Sequence, residues 1–358
     1  MRYSALAPTF ALFVAAATSA FAQGPYKVLK TVKVGGDGGF DYVQADPPNH
    51  KLYVPRTGPA PRIDVYNLDT LEKSGEIANT NARGAAVDSK SNHGFATSKP
   101  AAMWDAKTLA PIKTIDVEGG PDGILADSFN NHVYIFSHRA PTTTVINGAD
   151  GAILGTIDLE GAPEQAATDG KGKIYVAIED KDNVAVVDAK TMKVLNHFGL
   201  DGKGGTCAGL SIDAKNDILF VACRQPAVVV VMSAKDGKII TTLPIGAGVD
   251  GSAFNPATME LFTSQGQGEG SLTVIKENSP TSFEVEQTVK TLPGAKTMTL
   301  DAKTGLVYLI AAEYGPPPPP AAAPATPPAG APAGGGRGRG PGRGPMLPGS
   351  FSIIVVGK

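Results

Sequence analysis

An aspartate or its amide recurs at Asp46, Asp88, Asp127, Asp169, Asp213, Asn255 and Asp301, 39 to 46 residues apart, and no other feature constrains the fold as strongly. The fullest copy runs from Ala162 to Gly202. Within it, Ala166 to Asp169, Lys173 to Ile178, Val184 to Asp188 and Lys193 to Phe198 are short β-prone or alternating runs separated by Gly, Asp, Asn and Lys. Such a unit is four antiparallel strands joined by tight turns. A four-stranded unit cannot cover both faces of its sheet without a neighbour, so a period in the low forties predicts a β-propeller, all-β and without long helices. Seven copies predict seven blades.

The second runs align as KLYV at Lys51, HGFAT at His93, HVYIF at His132, KIYVA at Lys173, DILFV at Asp217, MELFT at Met259 and LVYLI at Leu306. The third runs end in short polar pairs, Asn67/Thr70, Asp105/Thr108, Asp188/Thr191 and Ser233/Asp236, of the kind that bond local backbone in turns. Two pieces fall outside the count. Tyr26 to Val34 alternates like a strand but precedes the first complete repeat, and the last repeat supplies only three strands before the chain ends. Closing the ring with the amino-terminal strand as the outer strand of blade seven solves both problems, because it leaves no free sheet edge.

Residues 1–22 read as a secretory signal peptide: one Arg, an apolar run from Ala5 to Ala20 and the small-residue site Ala20-Phe21-Ala22. The run is shorter than the roughly 20 residues of a membrane span. A periplasmic or secreted protein is expected, with residues 23–358 a single propeller domain and no membrane span in the mature chain. Residues 315–349, between the second and third strands of blade seven, are rich in Pro, Gly and Arg and are expected to be a disordered insert. Its Arg337, Arg339 and Arg343 complement an acidic channel mouth, as a weak, salt-sensitive cover would.

The recurring pattern of Ile174-Tyr175-Val176, then Val186-Val187-Asp188, then Thr191-Met192-Lys193 resembles the YVTN-type repeat of exported YncE-like propeller proteins. The resemblance covers the whole mature chain. It implies a secreted seven-bladed scaffold and carries no shared catalytic residues.

In a propeller, the loops entering the inner strands and those leaving the second strands open on one face around the central channel. The positions five before each repeat aspartate are Asp41, Arg83, Asp122, Glu164, Ala208, Asp250 and Lys296, and six of these seven are charged in a chain that is 18% charged overall. The positions after the second strands are Arg56, Lys99, His138, Glu179, Arg224, Gln265 and Glu313. A ligand-binding face of Asp41, Arg56, Arg83, Asp122, Glu164, Glu179, Asp250, Lys296 and Glu313 follows. Asp41, Asp122, Glu164 and Asp250 are candidate oxygen ligands for a divalent cation, while Arg83, Lys296 and Arg224 suit a carboxylate or phosphate. The competing reading is that channel mouths are wet and their turns polar in any case.

Two functions use this face. One is a non-enzymatic scaffold binding a small molecule, cation, glycan or partner protein. The other is a lactonase- or lyase-like enzyme, in which His138, Arg224, Glu164 and Asp122 would act. It rests on fold analogy. The Arg/Gly tract suggests a third role, as a weak patch for anionic polymers. With 32 Lys+Arg against 34 Asp+Glu, no basic domain exists for duplex nucleic acid. His50, His93 and His132 sit at first turns of different blades, too far apart to share a metal, and His197 lies on an outer strand. No His-x-x-x-His, Cys-x-x-Cys or Gly-x-Ser-x-Gly pattern occurs. A monomer is expected.

Cys207 and Cys223 are the only cysteines. A hairpin pairing Gly209 with Val221 would set them face to face. A disulfide is one reading and a metal or redox thiol pair the other, with an oxidising compartment favouring the bridge.

Overall fold

The computed structural model describes residues 24–316 and 344–358; the leader and the interior of the Pro/Gly/Arg insert lie outside them, and so do the expectations of cleavage and disorder. The described residues form seven four-stranded antiparallel sheets, each following the chain from inner to outer strand in six of the seven blades. Blade four is typical: Pro163–Thr168, Lys173–Ile178, Asn183–Asp188 and Lys193–Gly199, in that order. Blade seven takes Met298–Asp301, Leu306–Ala311 and Ser352–Gly357 from the carboxyl-terminal part of the chain and Lys27–Lys33 as its outer strand. The closing strand pairs Lys27 with Gly357 and Lys33 with Ser352. At the root of the insert Tyr314 bridges Met346, and Gly315 N donates to Pro345 O at 2.9 Å, so the hairpin stem continues beyond the sheet.

Each part of the repeat has a mechanical role. The repeat aspartates accept backbone N–H groups of the turn that follows, as Asp169 does from Lys171 and Lys173 at 2.7 and 2.9 Å. The tyrosines of the second strands reach into the next blade: Tyr53 donates to Ala106 O, Tyr134 to Ala189 O, Tyr175 to Ala234 O and Tyr308 to Leu68 O. Four buried phenols thus lock neighbouring blades at one repeated place, each bond contributing about 1 kcal/mol. The Tyr308 contact joins blade seven to blade one. The core is divided accordingly into seven apolar clusters, one for each pair of adjacent blades; that between blades four and five gathers Tyr175, Val186, Leu210 and Val230. The turn pairs behave as expected, with Asn67, Asp105 and Asp188 accepting from the N–H of Thr70, Thr108 and Thr191.

Cys207 and Cys223 form a disulfide. The hairpin register differs from the expected one, since Gly209 pairs with Ala222 and Leu210 with Val221. A bulge between Cys207 and Gly209 shifts the ladder by one residue and restores the facing of the two cysteines.

The first-turn histidines are not equivalent. His50 takes the left-handed slot (φ 53°) that Asn92 (φ 56°) and Asn131 (φ 62°) fill in the next blades, whereas His93 and His132 begin strands. His50 pairs with Asp69, His93 Nδ1 lies 3.1 Å from Gly148 O, and His197 Nε2 lies 3.3 Å from Leu159 O.

Candidate functional site

At the mouth of the channel the charged positions join into one circuit that visits all seven blades. Starting in blade four, Glu164 lies 3.7 Å from His138 Nε2, which is 2.9 Å from Asp122 in blade three. Arg83 of blade two reaches Asp122 at 3.6 Å and Asp41 of blade one at 3.5 Å. Lys296, entering blade seven, pairs with Asp41 at 3.5 Å and also with Asp250 of blade six. Arg224 of blade five then bonds Asp250 on one side and Glu179 on the other, returning to blade four.

Both rows read from the sequence are needed to close it. Blade five carries Ala208 in the first row, and the gap is filled by Arg224 from the end of that blade's second strand, Ile218–Arg224. Burial opposes the charge on Arg224, but Asp250, Glu164 and Glu179 outweigh it and hold the guanidinium above its ordinary pKa. Lys296 is likewise held up against burial, by Asp250 and Asp41. These cations stay charged across any physiological pH.

Two residues of the expected face, Arg56 and Glu313, do not join, nor does Lys99 of the second row. Lys99 turns to Gly119 O at 3.2 Å. Arg56 is fully buried, stacked 3.5 Å from the Phe351 ring centroid and donating to Asp37 O, so it braces the loop before blade one from beneath. Burial pulls its pKa down. Glu313 is exposed and pairs with Lys33 at 3.3 Å, at the stem of the insert. Of the four candidate oxygen ligands, Asp41 and Asp250 flank Lys296, while Asp122 and Glu164 flank His138. The four therefore form two separate pairs. One ligand atom from each of Asp122, His138 and Glu164 lies within 4.8 Å of the others.

Tyr42, which the charge pattern overlooks, lies at the centre of this mouth. Its phenol donates to Glu164 Oε2 at 3.0 Å. Burial first, then Glu164, Asp122, Asp41 and Asp250, push its pKa well above the ordinary value, so it remains a donor. The signal is in the next column of the repeat, which reads Tyr42, Gly84, Gly123, Gln165, Gly209, Gly251 and Thr297. The glycines are required by close approach. A Cβ on Gly209 would meet Ser252 Cβ at 2.9 Å, and one on Gly123 would meet Glu164 O at 3.3 Å and the Tyr42 hydroxyl at 3.7 Å. Gln165 spans the channel from the other side, its oxygen accepting from Leu210 N and Ser252 N and its amide donating to Ser252 O. Tyr42 and Gln165 thus occupy the bore where the glycines leave room.

The ring, its closure and its filled bore define a seven-bladed β-propeller with a charged mouth. Among solved structures, a chain of a crystal structure of a mitotic checkpoint complex has the same fold: TM-score 0.66, 10% identity, covering 86% of this chain and 95% of that one. At that identity the likeness establishes fold alone. No family model and no curated protein matches the sequence. Among the described residues, no helix is long and apolar enough to cross a membrane.

Proposed function

We propose that this chain is an exported propeller of the YVTN type that binds a small polar ligand bearing a carboxylate or phosphate at the channel mouth. The observation carrying this reading is the inverted exposure of the circuit. Side chains of the acids Asp41, Asp122, Glu164 and Asp250 are 4 to 12% exposed, whereas those of Arg83, Lys296 and Arg224 are 48, 36 and 27% exposed. A solute approaching the mouth meets cations first, and buried carboxylates hold those cations in position. The disulfide is compatible with export.

His138 lies within hydrogen-bond reach of Asp122, as an acid-base step would need. The binding reading accounts for the same contact without requiring a reaction. A panel of small carboxylates, phosphates and neutral sugars, read by melting temperature and then by calorimetry, tests the proposal. Anions are expected to stabilise the parent and to bind Arg83→Gln at least about tenfold more weakly, the loss of one charge-assisted bond. Selective binding of neutral sugars, unaffected by Arg83→Gln, would remove it.

A further inference from the structure

Asp122, His138 and Glu164 differ from the rest of the circuit: here two nearly buried carboxylates meet at an imidazole rather than at a lysine or arginine. Both carboxylates have 4% exposed side chains, and the imidazole is 24% exposed. His138 Nε2 is 2.9 Å from Asp122 Oδ2 and 3.7 Å from Glu164 Oε1, and one ligand atom from each residue falls within 4.8 Å of the other two. We infer that these three side chains are a binding site for one first-row divalent transition-metal ion, of the class of Zn2+.

The spacing fits. An ion bound to imidazole nitrogen and carboxylate oxygen at about 2.0–2.2 Å sets adjacent donor atoms roughly 3 to 3.5 Å apart; the two distances to His138 Nε2, 2.9 and 3.7 Å, bracket that range, and the third pair of donors lies within 4.8 Å. The surroundings aim the donors. Tyr42 holds the far oxygen of Glu164, Oε2, and Arg83 lies 3.6 Å from the far oxygen of Asp122, Oδ1, which turns Oε1 and Oδ2 toward His138. Hydrogen-bonding partners behind metal ligands orient them in just this way. Each donor also stands on a firm base. Asp122 and Glu164 are each the second residue of an inner strand, Pro121–Asp127 and Pro163–Thr168, and His138 follows the end of His132–Ser137, so two adjacent sheets present all three.

Charge and ligand type select the ion. The circuit holds five carboxylates, Asp41, Asp122, Glu164, Glu179 and Asp250, against the three cations Arg83, Arg224 and Lys296. Leaving His138 out of the count, the sum is −2, which one divalent ion cancels. An imidazole donor favours Zn2+ and its neighbours over Ca2+ or Mg2+, which prefer all-oxygen sets. Water or a solute from the mouth would complete the coordination, since three protein ligands leave a position open.

The site lies at the mouth assigned above to anions, but its argument does not use that assignment. The test takes the full chain after chelator treatment and titrates Zn2+ by calorimetry, with Co2+ absorption as a second readout. One equivalent per chain is expected. Glu164→Gln and His138→Ala should each weaken binding at least about tenfold and abolish or shift the Co2+ bands, and Tyr42→Phe should weaken it by about tenfold through Glu164. Melting temperatures of the metal-free variants separate lost ligation from lost fold, and the near-isosteric Glu164→Gln decides the question if His138→Ala does not fold. Absence of stoichiometric binding, binding unchanged in Glu164→Gln, or equal affinity for Ca2+ would overturn the inference. Anion titration of the metal-free protein distinguishes the two proposals: anion binding without Zn2+ binding removes only the metal site, and the reverse removes only the anion reading.

Discussion

The Tyr42 phenol donates a 3.0 Å hydrogen bond to Glu164 although 122 residues separate them, joining the entry to blade one with the inner strand of blade four across the mouth. Few single contacts depend so completely on closure of the ring. Tyr42→Phe keeps the ring packing and removes only the donor. It should destabilise the fold by about 1–3 kcal/mol, the range for a buried acceptor losing a partner. Chemical denaturation checks it, and a variant as stable as the parent would show that Glu164 does not depend on the phenol.

Removing residues 26–34 should be far more damaging. That segment supplies the outer strand of blade seven and all its bonds to Ser352–Gly357, and Tyr26 also caps the adjoining blade through Gln287 and Glu260. Its loss leaves an unpaired strand edge, a template for association with other chains. Loss of soluble monomer in size-exclusion chromatography, or a large fall in melting temperature, is the expected result.

The Cys207–Cys223 bridge closes a short hairpin with a sequence separation of 16. Protein exported and then denatured without reductant should show no titratable thiol. Replacing both cysteines with serine should cost roughly 3 kcal/mol in the loop-closure model. Two reactive thiols per chain would contradict the bridge.

Glu277 provides a pH test away from the mouth. Burial first, and then Asp213, push its pKa up to about 7, while Asn216 donates to it at 3.0 Å. Because the folded value lies above the unfolded one, the folded state holds the extra proton, and stability falls as pH rises between the ordinary glutamate value of 4.5 and about 7. Glu277→Gln should therefore leave stability near pH 4 little changed and raise it at pH 8, by up to about 3 kcal/mol. Melting curves at the two pH values decide it; an equal effect at both would mean that Glu277 does not titrate in this window.

The ring of blades is legible in the sequence because it repeats a local instruction. Asp169 caps its own turn and Tyr175 follows six residues later, and an aspartate or asparagine with a tyrosine or phenylalanine six or seven residues on marks every blade. The orphan strand at Tyr26 was placed by the same counting. The row Asp41, Arg83, Asp122, Glu164, Ala208, Asp250 and Lys296 also follows from the period, since residues at one phase of the repeat arrive at one height in the ring.

Which of those residues touch was not legible. Arg56 and Arg224 share a phase and a residue type, yet Arg56 is sealed against Phe351 while Arg224 completes the circuit between Glu179 and Asp250. The bulge beside Cys207 and the position of Tyr42 in the bore were equally hidden. A repeat records how each residue stands toward its own blade, and that determined the fold, the closure and the charged row. Pairing across the mouth depends on the ring's diameter, on side-chain reach and on the packing beneath each loop, quantities set jointly by all seven blades, so only the tertiary structure could decide that Asp122, His138 and Glu164 meet.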